Sequence, residues 1–292
     1  MIRALEAIIT APYYYFMAIK KLGWRKFFAG FRNPKKFRDN LAVVAIAKNE
    51  GAYFREWIEY HLAIGIDRFY IYDNESIDDT RTVLQDYIDR GIVVYTYLPG
   101  EKKQFAAYTD CIDRIRDNTR WLAAIDIDEF IFGLGKNNIL DFLRRAPKKF
   151  VQFSFGSLEF GSNGHQRRPD GPVLKNYTRH AVRPYQCKSI ANPRRIYNSR
   201  SAHKFEVYGV CGDENYKLMR PTKKLMHDFS INKIRINHYK FKSLEESLAK
   251  QKRGSAVFGP QFIKFTDEYI ARNEKINNEV FDDSANVWAE KL

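Results

Sequence analysis

Asp126 and Asp128 stand two residues apart at the end of the apolar run in WLAAIDIDEFIF. In extended backbone, residues i and i+2 point to the same side. Two carboxylates placed that way repel each other unless a proton or a cation lies between them. A hard divalent ion, Mn²⁺ or Mg²⁺, takes oxygen ligands and leaves positions for substrate phosphates. There it would neutralise a departing diphosphate. The competing reading is a strand-end turn in which both side chains cap backbone amides. Glu129, the next acid, suits the organisation of such a loop. Asp73 ends a similar run in YIYDNESIDDT. It can accept hydrogen bonds from a uracil imide or a ribose hydroxyl, or it can close an Asx-turn, while Asp78 or Asp79 caps the following helix. In register with Asp126 on one sheet edge, nucleotide binding is the better reading.

These residues need elements that bring them to one edge. Residues 41–47 (LAVVAIA) form a short apolar run typical of a strand covered on both faces. Phe54, Trp57, Ile58, His61 and Leu62 recur at helical spacing, and Gly65 stops that helix. His61 falls on the apolar face, where a backbone-bonded structural role is expected. Strands follow at 68–72, 92–97 and 121–125, with helices from 79 or 80 to 90 and over 104–118. Strand–helix alternation with short connections predicts βαβ units and an α/β fold with a mostly parallel sheet flanked by helices. Ligands of such sheets bind beyond the carboxyl ends of the strands. Residues 150–155 read as a further strand. Residues 167–204 hold ten Lys/Arg and one acid, punctuated by Gly, Pro and Asn, and read as loops. Helical composition returns from Leu244 onward and over 265–278. Three domains are expected: a basic amphipathic segment 1–40, a catalytic domain 41–243 and a helical extension 244–292.

Forty-nine Lys/Arg against 35 acids give 292 residues a net charge of +14, which points to anionic partners. Half of that surplus, +7, lies in residues 1–40, where nine basic residues meet two acids. Residues 4–19 are mostly apolar but carry Glu6 and Pro12, and they fall short of the roughly 20 apolar residues of a spanning helix. The basic residues follow the apolar stretch, the reverse of a signal peptide. The segment is expected to lie on an anionic membrane surface, or else to pack on the domain with a solvated basic face. Three scattered cysteines exclude a disulfide framework and a zinc site. A cytoplasmic setting, with contact at the inner face of a membrane, is the expectation.

AIAKNEGAYFREWIEYHLAIGIDRFYIYDNESIDDT followed by WLAAIDIDEFIF resembles glycosyltransferase family 92 and related bacterial family-2-like enzymes. FGSNGH at 160–165 and INHYKFKSLEE at 236–246 are further matches, so the resemblance covers about 41–254. It implies a GT-A fold and a metal-dependent inverting transferase that moves a sugar, galactose favoured, from a UDP-sugar to a glycan or glycolipid. By the same resemblance Asn49, Glu50 and Asp73 are nucleotide contacts, and Asp126 and Asp128 form the Asp-x-Asp metal site. His238, in NHYKFK, is similar to the late histidine that many such enzymes add as a metal ligand, with a nearby Lys, here Lys242, for the diphosphate. Neutral imidazole is a sound ligand beside carboxylates. His203 is the rival. His165 either contacts the acceptor or orders its Gly-rich turn. Inversion needs a carboxylate that deprotonates the acceptor hydroxyl. Asp213 is placed for that role by its distance along the chain, and Glu159 and Glu206 compete.

Two other classes account for part of the pattern. A nucleotidyltransferase would use the same sheet and carboxylates, but AKNEGAY lacks the Gly-rich phosphate loop expected after the first strand. A nucleic-acid-binding protein would explain the charge and the interleaved aromatics. It leaves unexplained why carboxylates gather at the binding edge, so no nucleic-acid partner is expected.

Overall fold

The computed structural model describes residues 2–201, 203–219, 229–254, 256–259 and 266–290, with side chains from residue 12 onward. In chain order the elements begin α1 (Ile2–Ala29), β1 (Asp39–Ala47), α2 (Gly51–Ala63), β2 (Arg68–Asp73), α3 (Thr80–Asp89), β3 (Val93–Tyr97) and α4 (Gln104–Ile115). They continue β4 (Thr119–Ala124), β5 (Glu129–Gly133), α5 (Ile139–Arg145), β6 (Phe150–Glu159), α6 (Val173–Asn176), β7 (Arg179–His180) and β8 (Gln186–Ala191). The remainder is β9 (Ile196–Asn198), β10 (Glu206–Val207), β11 (Val210–Gly212), β12 (Leu218–Met219), β13 (Ile234–His238), α7 (Leu244–Arg253), α8 (Asp267–Asn277), β14 (Val280–Phe281) and α9 (Asn286–Ala289).

The main sheet runs β12-β11-β6-β8-β4-β1-β2-β3, with β13 beside both β6 and β5. β3, β2, β1 and β4 are mutually parallel, as the alternation predicts. β1 alternates its side chains between two cores. Leu41, Val43 and Ala45 meet Phe54 and Trp57 of α2 on one face. Ala42, Val44 and Ile46 meet Ala107, Cys111 and Ile115 of α4 on the other. This is why the run is apolar at every position rather than at every second one.

The sheet is nonetheless mixed. β8 runs antiparallel to both β4 and β6, so β6 points the same way as β4. β13 is parallel to β6 and antiparallel to β5. The C-termini of β1, β4, β6 and β13 therefore reach one edge. The reading of 167–204 as loops misses β8, because its alternation of small and polar residues carries no strong period.

α1 is kinked at Gly23, whose φ of 73° leaves the helical region. The segments on either side of the kink bury Tyr14 and Ala18, and Phe27, against Tyr197 and Tyr208. Phe27 stacks on Tyr208 with ring centroids 4.9 Å apart. The Tyr208 hydroxyl donates to the Phe27 carbonyl at 2.9 Å. Among the described residues no helix is long and apolar enough to cross a membrane.

Candidate active site

Register brings three acidic and basic side chains into one row. His238 of β13 pairs with Glu129 of β5 on one side and with Glu159 of β6 on the other. Beside this row Asp126 and Asp128 occupy the β4–β5 connection. A cleft of about 440 Å³ opens there, lined by Glu50, Asp126, Asp128, His203, His238 and Lys250 among others. It lies beyond the carboxyl ends of β1 and β4, where ligands of such sheets bind.

The Asp126–Asp128 segment is a turn, not extended chain. The Glu129 amide donates to the Asp126 carbonyl at 3.0 Å, and the Glu129 carboxylate accepts from the Asp126 amide at 3.0 Å. This corrects the expectation that the two carboxylates share one side by alternation. They diverge to different partners. Asp126 Oδ2 accepts from Lys188 Nζ at 3.0 Å, and Lys188 also meets Glu129 Oε2 at 2.8 Å. Asp128 Oδ1 lies 3.5 Å from His238 Nε2, and its Oδ2 is paired with Lys250 of α7. Burial opposes the charge on Asp128, but Lys250 and His238 outweigh it and hold the carboxyl well below its ordinary range. Glu129, fully buried, is pushed up by desolvation against the pull of Lys188. Lys188 is itself buried, yet Asp126 and Glu129 overcome the desolvation and hold its ammonium well above its usual value. His238 Nδ1 and Glu129 Oε1 are buried and face each other at 3.8 Å, and neither has a hydrogen-bond partner among the described residues.

The other expected residues divide. Glu50 lines the cleft and is held at 2.6 Å by Arg253, which also donates to the Lys48 carbonyl at 2.7 Å. Asn49 ties the ends of β1 and β2 together. Its side chain accepts from the Ile77 amide at 2.8 Å, and its φ of 55° turns the chain at that point. Asp73 accepts from the Ser76 amide at 2.9 Å and from the Tyr95 hydroxyl at 2.6 Å, so both oxygens organise the loop. Asn74, its neighbour, lines the cleft instead. Lys242 does not line it. Its ammonium lies 4.2 Å over the Tyr53 ring, and burial pushes it down despite Glu50 and Asp128. The Lys and Arg side chains that line the cleft are Lys48, Lys102, Lys240, Lys250 and Arg253.

Three expected catalytic residues lie outside the cleft lining. Asp213 Oδ1 accepts the amides of Asn215 at 2.8 Å and Lys217 at 2.9 Å, closing the β11–β12 turn. Gly212 is level with Phe153 of β6, six residues before Glu159. At about 3.3 Å per residue that is roughly 20 Å from the row containing His238. Distance along the chain therefore misplaces the base, because β11 pairs with the start of β6 rather than its end. Glu159 sits behind Lys240, 3.3 Å from its Nζ. His165 orders the Gly-rich turn. Its ring lies 3.3 Å from the Asn176 carbonyl, and its own carbonyl accepts from the Leu244 amide at 3.0 Å. Glu206, the other competitor, accepts from Asn198 at 2.8 Å. His203 does line the cleft. His61 has the structural role expected of it, with Nδ1 donating to the Trp57 carbonyl at 2.8 Å and Nε2 accepting from the Ile131 amide at 3.3 Å.

Lys188, Lys250 and Arg253 are the site residues that sequence reasoning misses. Lys188 hides among ten basic residues. Lys250 and Arg253 stand in the last turn of α7, whose start is fixed by a capping box between Ser243 and Glu246. α7 belongs to the segment expected as an extension, so the site draws on both sides of residue 243.

The profile of glycosyltransferase family 92 matches residues 44–278. A family 92 protein of rice, Oryza sativa subsp. japonica, is 31% identical over 211 residues, which are 70% of this chain and 34% of that protein. A galactan β-1,4-galactosyltransferase of Arabidopsis thaliana is 30% identical over 118 residues, 37% of this chain and 22% of that one. The chain thus spans 34–40% of the length of the first curated relatives it matches. Among solved structures, residues 1–349 of S. aureus TarS with UDP-GlcNAc align over 70% of this chain and 60% of that one, with a TM-score of 0.39 and 11% identity. The matched region begins within β1 and ends just past α8, enclosing every described residue of the cleft, and on that match the chain belongs to glycosyltransferase family 92.

Proposed function

We propose that this chain transfers a sugar, galactose favoured, from a UDP-sugar to a glycan or glycolipid acceptor, with inversion and with a requirement for Mn²⁺ or Mg²⁺. The observation that carries the reading is the meeting of His238 with Asp128 at the sheet edge, 3.5 Å apart although 110 positions separate them in the chain. The names of the Arabidopsis relatives support galactose and a polymeric acceptor.

The donor set is tested against a divalent ion by its own chemistry. Among the described residues no three His, Cys, Asp or Glu side chains cluster closely enough to hold a metal alone. Asp128 Oδ1 and His238 Nε2 do offer an oxygen and a nitrogen donor side by side on the cleft wall, and Asp126 opens into the same space with its side chain 37% exposed. That set suits an ion that keeps positions for a diphosphate and water. Asp128 and His238 would hold it, with Asp126 beside them, and when bound it supplies neutralisation of the leaving diphosphate. The protein's own cations contribute to the same end. Lys250 and Arg253 point their charges at the cleft from one turn of α7, suited to hydrogen-bond phosphate oxygens. Lys188 fixes Asp126, and Glu129 fixes the turn that presents both aspartates.

The test is UDP release from a panel of UDP-sugars with a galactan oligosaccharide as acceptor, in Mn²⁺ and in EDTA. The anomeric configuration of the product is read by NMR. Release from UDP-galactose in Mn²⁺ alone, with an inverted product, is the expected result. Full turnover in chelator would remove the metal, and silence with every donor would remove the transferase reading.

A further inference from the structure

We propose that the exposed face of α1 is a docking surface for an anionic lipid bilayer. α1 is fixed to the domain through Tyr14, Ala18 and Phe27. The segments on either side of the Gly23 kink also leave large apolar groups in solvent: Tyr13 is 60% exposed, Phe16 64%, Trp24 62% and Phe28 58%. Trp24 and Phe28 stack on each other, with ring centroids 5.8 Å apart. Lys20, Lys21 and Arg25 are exposed among them, and Arg32 just after the helix. Exposed aromatic groups interleaved with Lys and Arg suit the boundary between headgroups and acyl chains.

The charge selects the occupant. A second copy of this chain would bring the same basic surplus, +7 over residues 1–40, against itself. An anionic leaflet attracts it, and each basic residue near such a surface strengthens binding about fivefold. The anchorage of α1 also fixes the orientation. Lys26 lies 3.9 Å from Asp113 in the last turn of α4, and Arg194 and Tyr208 donate to the backbone of residues 27–29. Val210, two residues beyond Tyr208, is level with Phe150, the first residue of β6. His238, which lines the cleft, is level with the last, Glu159, so the anchorage of α1 and the cleft stand toward opposite ends of β6, roughly 30 Å apart at about 3.3 Å per residue. Docking through α1 therefore leaves the cleft open to donor and acceptor.

The test uses the full chain with vesicles of phosphatidylcholine alone or of phosphatidylcholine mixed with phosphatidylglycerol. The chain should float with the mixed vesicles and not with phosphatidylcholine alone, and salt should release it. Trp24 emission should shift to the blue on binding, and that shift should vanish in Trp24→Phe. The double substitution Trp24→Ser with Phe28→Ser should weaken flotation at least tenfold while the melting curve stays cooperative. Lys20→Glu with Arg25→Glu, two charge reversals, should weaken it by more than the roughly 25-fold expected for two neutralisations. The proposal is overturned if the mixed vesicles capture nothing at low salt or if the aromatic substitutions leave flotation unchanged. It is also overturned if single-stranded RNA binds through Trp24 and Phe28 in preference to vesicles, or if those residues drive self-association instead.

Discussion

Lys188→Met isolates the device that holds the acidic turn. Lys188 is 1% exposed and bridges Asp126 at 3.0 Å and Glu129 at 2.8 Å. Its removal leaves two carboxylates with different fates. The Asp126 side chain is 37% exposed and rehydrates, whereas Glu129 is fully buried and keeps an uncompensated charge. Removing one partner of a buried ion pair costs about 3–5 kcal/mol. At about 2 °C per kcal/mol for a chain of this size, Tm should fall by about 6–10 °C. The pH dependence carries the diagnosis. Desolvation already pushes the Glu129 carboxyl up, and without Lys188 only the Asp126 amide on its Oε2 and the facing His238 oppose it. A carboxyl raised in the folded state gives stability that is present below its unfolded value, about 4.3, and is lost as pH rises through the folded value. The deficit of the variant should therefore shrink as pH is lowered from 7 to 5. The assay is thermal unfolding by circular dichroism at several pH values, for Lys188→Met, Glu129→Gln and the double variant. The double variant should recover at least half of the loss, because an amide replaces the stranded charge. A fall of under about 2 °C in Lys188→Met, or a double variant whose loss is the sum of the singles, would refute the reasoning.

Four further outcomes follow from the same geometry. Asp128→Asn should abolish UDP release with the fold retained by circular dichroism. His238→Ala should raise the Mn²⁺ needed for half-maximal release at least as much as the 10–100-fold that loss of a supporting group costs, and His203→Ala should leave the Mn²⁺ curve in place; a shift for His203→Ala alone would exchange their roles. Asp213→Ala should lower stability by about 1 kcal/mol for its two amide hydrogen bonds and leave the transfer rate unchanged, which a kinetic comparison on the purified variant decides. His61 is held neutral by burial, which pushes it down to about 3. Its depressed value means stability is present above about 6.5 and is lost as pH falls toward 3, at about 1.4 kcal/mol per unit; the slope of urea-unfolding free energy between pH 7 and 5 should flatten by that amount in His61→Gln.

The parallel half of the fold was legible because its signals are local. The run at 41–47 is apolar at every position, and the α2 stripe of Phe54, Trp57, Ile58 and His61 has helical period. Such patterns record which faces are covered, and a covered face needs no knowledge of the partner. The same locality identified Asp126 and Asp128 as residues at a strand end, and it marked the first 40 residues as basic and aromatic. Tertiary structure decided everything that depends on which distant segment lies alongside. His238 meets Asp128 and Glu129 because β13 inserts between β5 and β6, a pairing that leaves no mark within either strand. Asp213, placed well by chain distance, is carried away by β11 pairing with the start of β6. Lys188 reads as one more solvated cation until β8, antiparallel between β4 and β6, buries it under two carboxylates. Charge type is written in the sequence. Whether a charge is solvated or buried depends on long-range strand pairing, and that burial sets its energy.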